Sequence, residues 1–79
     1  MGLLIDIKKD SESMEEVFYS FFIDDKYTGK VSIHKKTGEC SVIEEPEWDK
    51  ESKLATRVFR VLSRYWRKGE FPEITCWAS

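Results

Sequence analysis

The longest amphipathic pattern in the chain covers residues 49–68 and predicts an α-helix. At about 100° per residue, its apolar positions fall into one stripe roughly 160° wide. Asp49 can accept hydrogen bonds from the first N–H groups of this helix, and Gly69 followed by Pro72 can end it. The apolar stripe consists of Leu54, Ala55, Val58, Phe59, Val61, Leu62, Tyr65 and Trp66.

Four shorter segments carry the apolar patterns of β-strands. They cover about residues 3–8, 15–24, 27–35 and 39–44. The second is the strongest, because Val17, Tyr19 and Phe21 lie on one face while Phe18 and Phe22 lie on the other. We expect the face that begins with Val17 to be buried toward the helix, since it is the longer apolar row.

Polar segments separate the predicted strands and leave one strand pairing open. Residues 8–13 hold no apolar side chain and predict a loop. Residues 35–39, with Gly38 in a left-handed conformation, predict a hairpin that places His34 opposite Cys40. Between the second and third strands the register stays undecided, because changing the loop by one residue exchanges the two faces completely.

These elements predict an α+β fold, namely a four-stranded antiparallel β-meander covered on one face by a single long C-terminal α-helix. The chain of 79 residues forms one domain, residues 1–79, with little room for an enclosed active-site cavity. The tail, residues 70–79, is expected to form a short extra strand or a flap. One helix cannot cover both faces of the sheet, so we expect the tail around Trp77 or a second copy of the chain to close the other face.

Charge is divided unevenly along the chain, whose net charge is −2. Residues 1–48 hold 6 lysines and 11 acidic residues, whereas residues 49–79 hold 7 basic and 4 acidic residues. An acidic chain is a poor general nucleic-acid binder, because that affinity comes mainly from neutralised phosphates. All the arginines lie on the predicted helix, opposite its apolar stripe. Together with one lysine they form what we call the arginine ridge: Lys53, Arg57, Arg60, Arg64 and Arg67.

The arginine ridge is the first of two candidate binding surfaces. Guanidinium groups bind carboxylates and phosphates through paired hydrogen bonds, so the ridge can contact an acidic protein surface or a nucleic acid. No aromatic residue interleaves with it, which weakens a single-stranded nucleic-acid interpretation. The alternative is a solvated face that pairs locally with Glu39, Glu44 or Glu45. The second candidate is an apolar interface: Leu4, Phe18, Phe22 and Trp48.

Trp48 and the residues with reactive side chains each have an ordinary structural interpretation. Trp48 is expected to pack against the helix start, with an exposed partner anchor as the alternative. His34 is expected to be exposed, and Cys40 and Cys76 to be reduced thiols. The alternatives are a catalytic or metal-binding pair of His34 and Cys40, and a disulfide between the cysteines. The acidic clusters favour a solvated rim, because the spacing of a calcium loop is absent.

The sequence favours a non-catalytic protein-interaction module, for instance a regulator or an inhibitor of a larger cytoplasmic protein. The alternative is a nucleic-acid-binding domain that uses the arginine ridge. Nucleotide-binding glycine loops, a nucleophile elbow and an HExxH motif are absent, so we predict no enzyme and no catalytic, cofactor-binding or metal-binding residues. A protein partner is expected, a nucleic acid is the weaker candidate, and a homodimer is a further alternative. No apolar run approaches the ~18 residues of a membrane span and no basic signal-peptide start is present, so we expect a cytoplasmic protein without a membrane partner.

Overall fold

The computed structural model describes residues 2–79, so residue 1 of the predicted domain lies outside the described residues. Its elements are β1 (Leu4–Glu12), β2 (Glu16–Ile23), β3 (Lys26–His34), β4 (Cys40–Glu44), α1 (Lys53–Arg67) and β5 (Ile74–Ala78). The strands form one antiparallel sheet in the order β4-β3-β2-β1-β5. This confirms the predicted α+β class with one helix, and it resolves the tail as a fifth strand.

One hydrophobic core contains side chains from both the sheet and the helix. On the sheet, the buried apolar residues share one side, which we call the core face: Ile5, Ile7, Val17, Tyr19, Phe21, Val31 and Ile33. The buried helix residues all come from the predicted apolar stripe: Leu54, Ala55, Val58, Val61 and Leu62. The prediction that the Val17 face of β2 is buried is therefore confirmed. Side chains that alternate with the core face form the second face of the sheet.

The first strand extends through residues that the sequence predicted as a loop. β1 continues to Glu12, with a register shift between Lys9 and Ser11, so the predicted loop at residues 8–13 is wrong. Ion pairs take the place of apolar contacts here. Asp10 pairs with Lys30 of β3 at 2.6 Å, and Glu12 pairs with Lys35 at 2.6 Å. A polar segment can therefore form a strand when oppositely charged side chains on nearby elements pair with it.

The turn between β2 and β3 defines the register that the sequence leaves undecided. Asp24 and Asp25 form it with positive φ angles of 52° and 64°, as a two-residue type I′ hairpin turn requires. A register shift follows, because Phe22 pairs with Tyr27 whereas Phe21 pairs with Gly29. This bulge brings the buried row of β2 onto the same face as the apolar residues of β3.

The hairpin between β3 and β4 is one residue tighter than predicted. The Gly38 φ of 74° confirms the left-handed residue at the turn. However, the His34 N–H donates to the Glu39 carbonyl oxygen, and Cys40 pairs with Ile33. The predicted pairing of His34 with Cys40 is wrong, since a one-residue change moves each side chain to the other face. Cys40 consequently packs against the core.

The helix begins later than predicted but uses the predicted capping residue. It starts at Lys53, not at residue 49, yet both carboxylate oxygens of buried Asp49 accept backbone N–H bonds, from Lys53 (3.1 Å) and Leu54 (2.9 Å). These bonds satisfy N–H groups that lack a partner within the helix. Gly69, with a φ of 73°, follows the last turn as predicted. Trp48 is 71% exposed, so the expected packing against the helix start is wrong.

The last strand fixes the C-terminal tail beside β1. Trp77 pairs with Ile5 and therefore lies on the core face, where it packs against the core. The expectation that the tail folds over the second face is thus wrong. Fully buried Tyr19 donates its hydroxyl hydrogen bond to the Pro72 carbonyl oxygen at 2.9 Å, and this bond ties the segment before β5 to the sheet.

Candidate partner-binding surface

The arginine ridge follows one side of α1 along most of the helix. Spacings of three and four residues keep its members on one side. Arg60, Arg64 and Arg67 are exposed, as is Lys53, whereas Arg57 is half-buried. Because the buried residues of α1 occupy the other side of the helix, the cationic groups reach solvent.

The guanidinium groups of the ridge are not neutralised within the domain. Among residues 2–79, every salt bridge uses a lysine, and no arginine has a carboxylate oxygen within 4.0 Å. Two of the expected local partners have other contacts. Glu44 accepts the hydroxyl of Tyr27, and Glu45 accepts the hydroxyl of Ser52 at 2.7 Å. The ridge arginines therefore present free hydrogen-bond donors, whereas Lys53 pairs with Glu51 at 3.3 Å.

An aromatic ring lies beside the ridge, contrary to the sequence prediction. The Arg57 guanidinium carbon is 4.9 Å from the centroid of the Trp77 ring, a cation–π contact. Trp77 belongs to β5, so spacing along the helix could not reveal it. This contact holds the Arg57 side chain close to the edge of the sheet.

A cleft lies between α1 and β5. Its volume is about 150 Å³. The residues that line it are Val61, Arg64, Tyr65, Lys68, Thr75 and Cys76. The Thr75 hydroxyl donates to the Tyr65 hydroxyl oxygen at 3.2 Å, which joins the two elements across the cleft. Arg64 and Lys68 give the cleft a positive charge that no carboxylate within the described part of the chain neutralises.

Polar residues divide the predicted apolar interface on the second face. Lys8, Ser20 and Lys30 occupy adjacent positions across three strands and separate Phe18 from Phe22. The Lys8 ammonium lies 5.2 Å from the centroid of the Phe22 ring, so a charged side chain partly covers this aromatic residue.

The remaining members of that predicted interface are more exposed. Leu4 is 51% exposed, near the start of β1. Trp48 lines a separate groove with Tyr27 and Pro46. Burial and the hydrogen bond to Glu44 raise the pKa of the Tyr27 hydroxyl to about 12. The structure therefore does not bring the four residues together as one continuous patch.

Three different environments surround His34 at the hairpin turn, Cys40 against the core, and exposed Cys76. The His34 Nδ1 atom accepts backbone N–H bonds from Lys36 (3.2 Å) and Thr37 (3.4 Å), which stabilises the hairpin turn. Burial raises the pKa of the Cys40 thiol, although a hydrogen bond with Ser63 opposes this. Within residues 2–79 both cysteines are free thiols, and no group of three or more metal-ligating side chains comes together.

An ionic cluster joins β1 to the hairpin and to the segment before β5. The Glu12 carboxylate accepts hydrogen bonds from Lys35 (2.6 Å) and Lys9 (3.1 Å), and these bonds lower the pKa of Glu12 below 4.5. Lys9 also pairs with Glu73 at 3.5 Å. Burial lowers the pKa of Lys9, but the bonds and charges of both carboxylates outweigh this effect and raise it overall.

The Glu12→Gln variant is expected to be less stable than the wild type at neutral pH, because two ion pairs are lost. The pKa of Glu12 is lower in the folded chain than its unfolded value of 4.5, so the ionised carboxylate stabilises the fold at pH values above 4.5. This contribution is lost as the pH falls through the pKa of the folded chain. Urea unfolding across the acid range should show the difference between variant and wild type shrinking below that pH. Glu15→Gln, at an exposed residue outside every ion pair among the described residues, is the matched control and should have no effect. A pH-independent loss in Glu12→Gln would contradict this explanation.

Comparison with protein-family models, with curated proteins and with solved structures found no match to this chain. Within residues 2–79, no helix is both long enough and apolar enough to span a membrane.

Proposed function

We propose that this chain is a small non-catalytic protein-interaction module, a regulator or an inhibitor that binds an acidic surface of a larger cytoplasmic protein through the arginine ridge. The observation that carries the proposal is the lack of any carboxylate partner for the ridge arginines within the described residues. Free guanidinium groups form strong paired hydrogen bonds with carboxylates. In this proposal α1 lies across one face of the sheet and holds the ridge outward.

The environments of the reactive side chains support a non-catalytic role. A nucleophilic cysteine needs a thiolate, which a lowered pKa or an adjacent base provides. Burial instead raises the pKa of Cys40. The Nδ1 atom of His34 is bonded to the backbone of its own turn.

A nucleic acid is the second candidate for the ridge. The contact of Arg57 with Trp77 favours it, because arginine and aromatic side chains together bind single strands. The net charge of −2 opposes it, because acidic residues elsewhere repel phosphates. A homodimer through Leu4 and Phe22 has weaker support, since Lys8 lies over the Phe22 ring.

The test is a pull-down from a native lysate with the wild type and with the double variant Arg60→Glu/Arg64→Glu. The wild type should retain an acidic protein in a stoichiometric amount, and the double variant should lose it. Affinity should fall at least ~10-fold, because reversing charges converts attraction into repulsion. Both side chains are exposed, so the fold should be unaffected.

The matched control is Lys26→Glu/Lys36→Glu, which changes the net charge equally at exposed residues away from the ridge. This control should retain the partner. Equal loss in both double variants would show that only net charge matters and would contradict a ridge-specific site. A mobility shift with RNA or DNA at low salt, without a retained protein, would favour the nucleic-acid alternative.

A further inference from the structure

We propose that β5 is a docking edge, where an extended segment of a partner protein adds as a further strand with acidic side chains alternating with apolar ones. This inference rests on the proposed function and deepens it, because it names the binding mode and the chemistry of the partner segment. Two independent features carry it. One is the open edge of β5, and the other is the group of α1 cations beside that edge.

The backbone groups of Ile74, Cys76 and Ala78 point away from the sheet. The Lys9 N–H donates to the Glu73 carbonyl oxygen at 2.8 Å, and this fixes which positions bond to β1. Antiparallel pairs alternate between bonded and non-bonded positions, so the odd-numbered residues of β5 face β1 and the even-numbered ones face outward. Because β5 ends the sheet, these outward N–H and C=O groups meet no other strand formed by residues 2–79.

β5 lacks the features by which edge strands usually avoid the addition of another strand. Charged residues, prolines and β-bulges commonly give that protection. The segment Ile74–Ala78 has no charged residue and no proline, and its pairing with β1 shows no register shift. The opposite edge, β4, contains Glu44 and is shifted against β3. Of the two edges, β5 is the one that can accept a strand.

Two α1 cations and the cation that follows the helix lie on the core-face side of this edge. Arg57 stacks on Trp77. Arg64 and Lys68 line the cleft together with Thr75. Side chains directly opposite each other in paired strands share one face, so partner residues opposite Thr75 and Trp77 point toward these cations. Acidic side chains two residues apart in the added strand fit these positions.

The second-face side chains of β5 itself are apolar, whereas their neighbours on β1 other than Leu4 are charged. Ile74 is 71% exposed, and Cys76 is also exposed. Leu4, which pairs with Ala78, extends this surface onto β1. Apolar side chains in the added strand would remove it from water. The complete recognition pattern in the partner is therefore apolar, acidic, apolar, acidic, apolar.

Charge argues against a second copy of this chain as the occupant. In an antiparallel self-pairing centred on Cys76, Thr75 lies opposite the second copy's Trp77. Arg64 then comes close to the second copy's Arg57. Uncharged β5 supplies no carboxylate to offset this repulsion, so the edge suits an acidic partner better than itself.

The first test is calorimetric titration of the full chain with short synthetic peptides. A peptide in which valine alternates with glutamate should bind at least ~10-fold more tightly than the same peptide with lysine in place of glutamate. A third peptide keeps the glutamates but is N-methylated at the residues that would bond to β5, and it should bind at least ~10-fold more weakly. No binding of the first peptide, or equal binding of all three, would overturn the proposal.

The second test uses paired variants of the chain. Arg64→Glu should weaken the valine–glutamate peptide at least ~10-fold, whereas Arg60→Glu, which does not line the cleft, should change affinity by less than ~3-fold. Cys76→Pro should abolish binding and Cys76→Ala should preserve it, because proline at an outward-facing edge position blocks the added strand. Equal effects within either pair of folded variants would overturn the proposal.

Circular dichroism should show that Cys76→Pro keeps its fold, and if it does not, the N-methylated peptide decides the question. Dimers in sedimentation that Cys76→Pro dissociates would overturn the proposal in favour of a second copy. If Arg60→Glu/Arg64→Glu loses the cellular partner while Cys76→Pro retains it, the proposed function stands and the docking edge is wrong. If both variants retain the cellular partner, the proposed function and the docking edge are both wrong.

Discussion

The Phe21→Ala variant is expected to lose about 3–5 kcal/mol of unfolding free energy, because the fully buried ring leaves a cavity in the core. A domain of this length has about 4–12 kcal/mol in total, so this loss removes a large share of its stability. The ring packs directly on Gly29, where even an added Cβ atom would overlap it. Urea unfolding followed by circular dichroism measures the loss.

Phe22→Ala is the matched control, since it removes the same side chain from the next residue of the same strand. The Phe22 ring lies on the second face, half-buried, with an edge-on contact to Tyr27 at 6.0 Å and Lys8 above it. Its loss should cost about 1 kcal/mol. A greater loss in Phe22→Ala than in Phe21→Ala would mean that the register of β2 is shifted by one residue and that the second face is the buried one.

The identity of the buried faces was predictable from sequence because each face depends on a local period. The helical stripe that contains Leu54, Val58 and Leu62 is buried as predicted, and so is the alternating row of β2. The capping contact of Asp49 was predictable for the same reason, although the helix begins at Lys53. A carboxylate can reach N–H groups from several positions before the first turn, so it does not fix the starting residue.

Strand registers were not predictable, because single-residue features between the strands determine them. One hairpin has a bulge after its turn at Asp24, and the other has a loop one residue shorter than expected. Neither changes the composition of the strands. The consequence is large, since Cys40 moves from a position opposite His34 to a position against the core.

The ridge residues were predictable from sequence, but their surroundings were not. Their spacing along α1 is a local property. The Trp77 ring beside Arg57, the cleft and the open edge all depend on the pairing of β5 with β1, from opposite ends of the chain. Charged residues at the end of β1 hid the length of this strand as well, because their partners lie on other elements.

The Gly38→Ala variant is expected to lose about 2–5 kcal/mol, because a left-handed backbone and a close contact act together. Gly38 has a φ of 74°, and an added Cβ atom would lie 2.7 Å from the Trp66 ring. That ring cannot easily move away, because its Nε1–H donates to the Lys35 carbonyl oxygen at 2.8 Å. Thermal or urea unfolding should show the loss.

Gly69→Ala separates the two causes. Gly69 has nearly the same φ, 73°, but no atom lies within 4 Å of an added Cβ there. It should therefore lose only about 1–2 kcal/mol, the cost of the left-handed conformation alone. In a Trp66→Leu background, the smaller side chain should bring the cost of Gly38→Ala down to that of Gly69→Ala. An unchanged cost in that background would contradict the contact between the hairpin and the helix, because backbone strain alone would then explain the full effect.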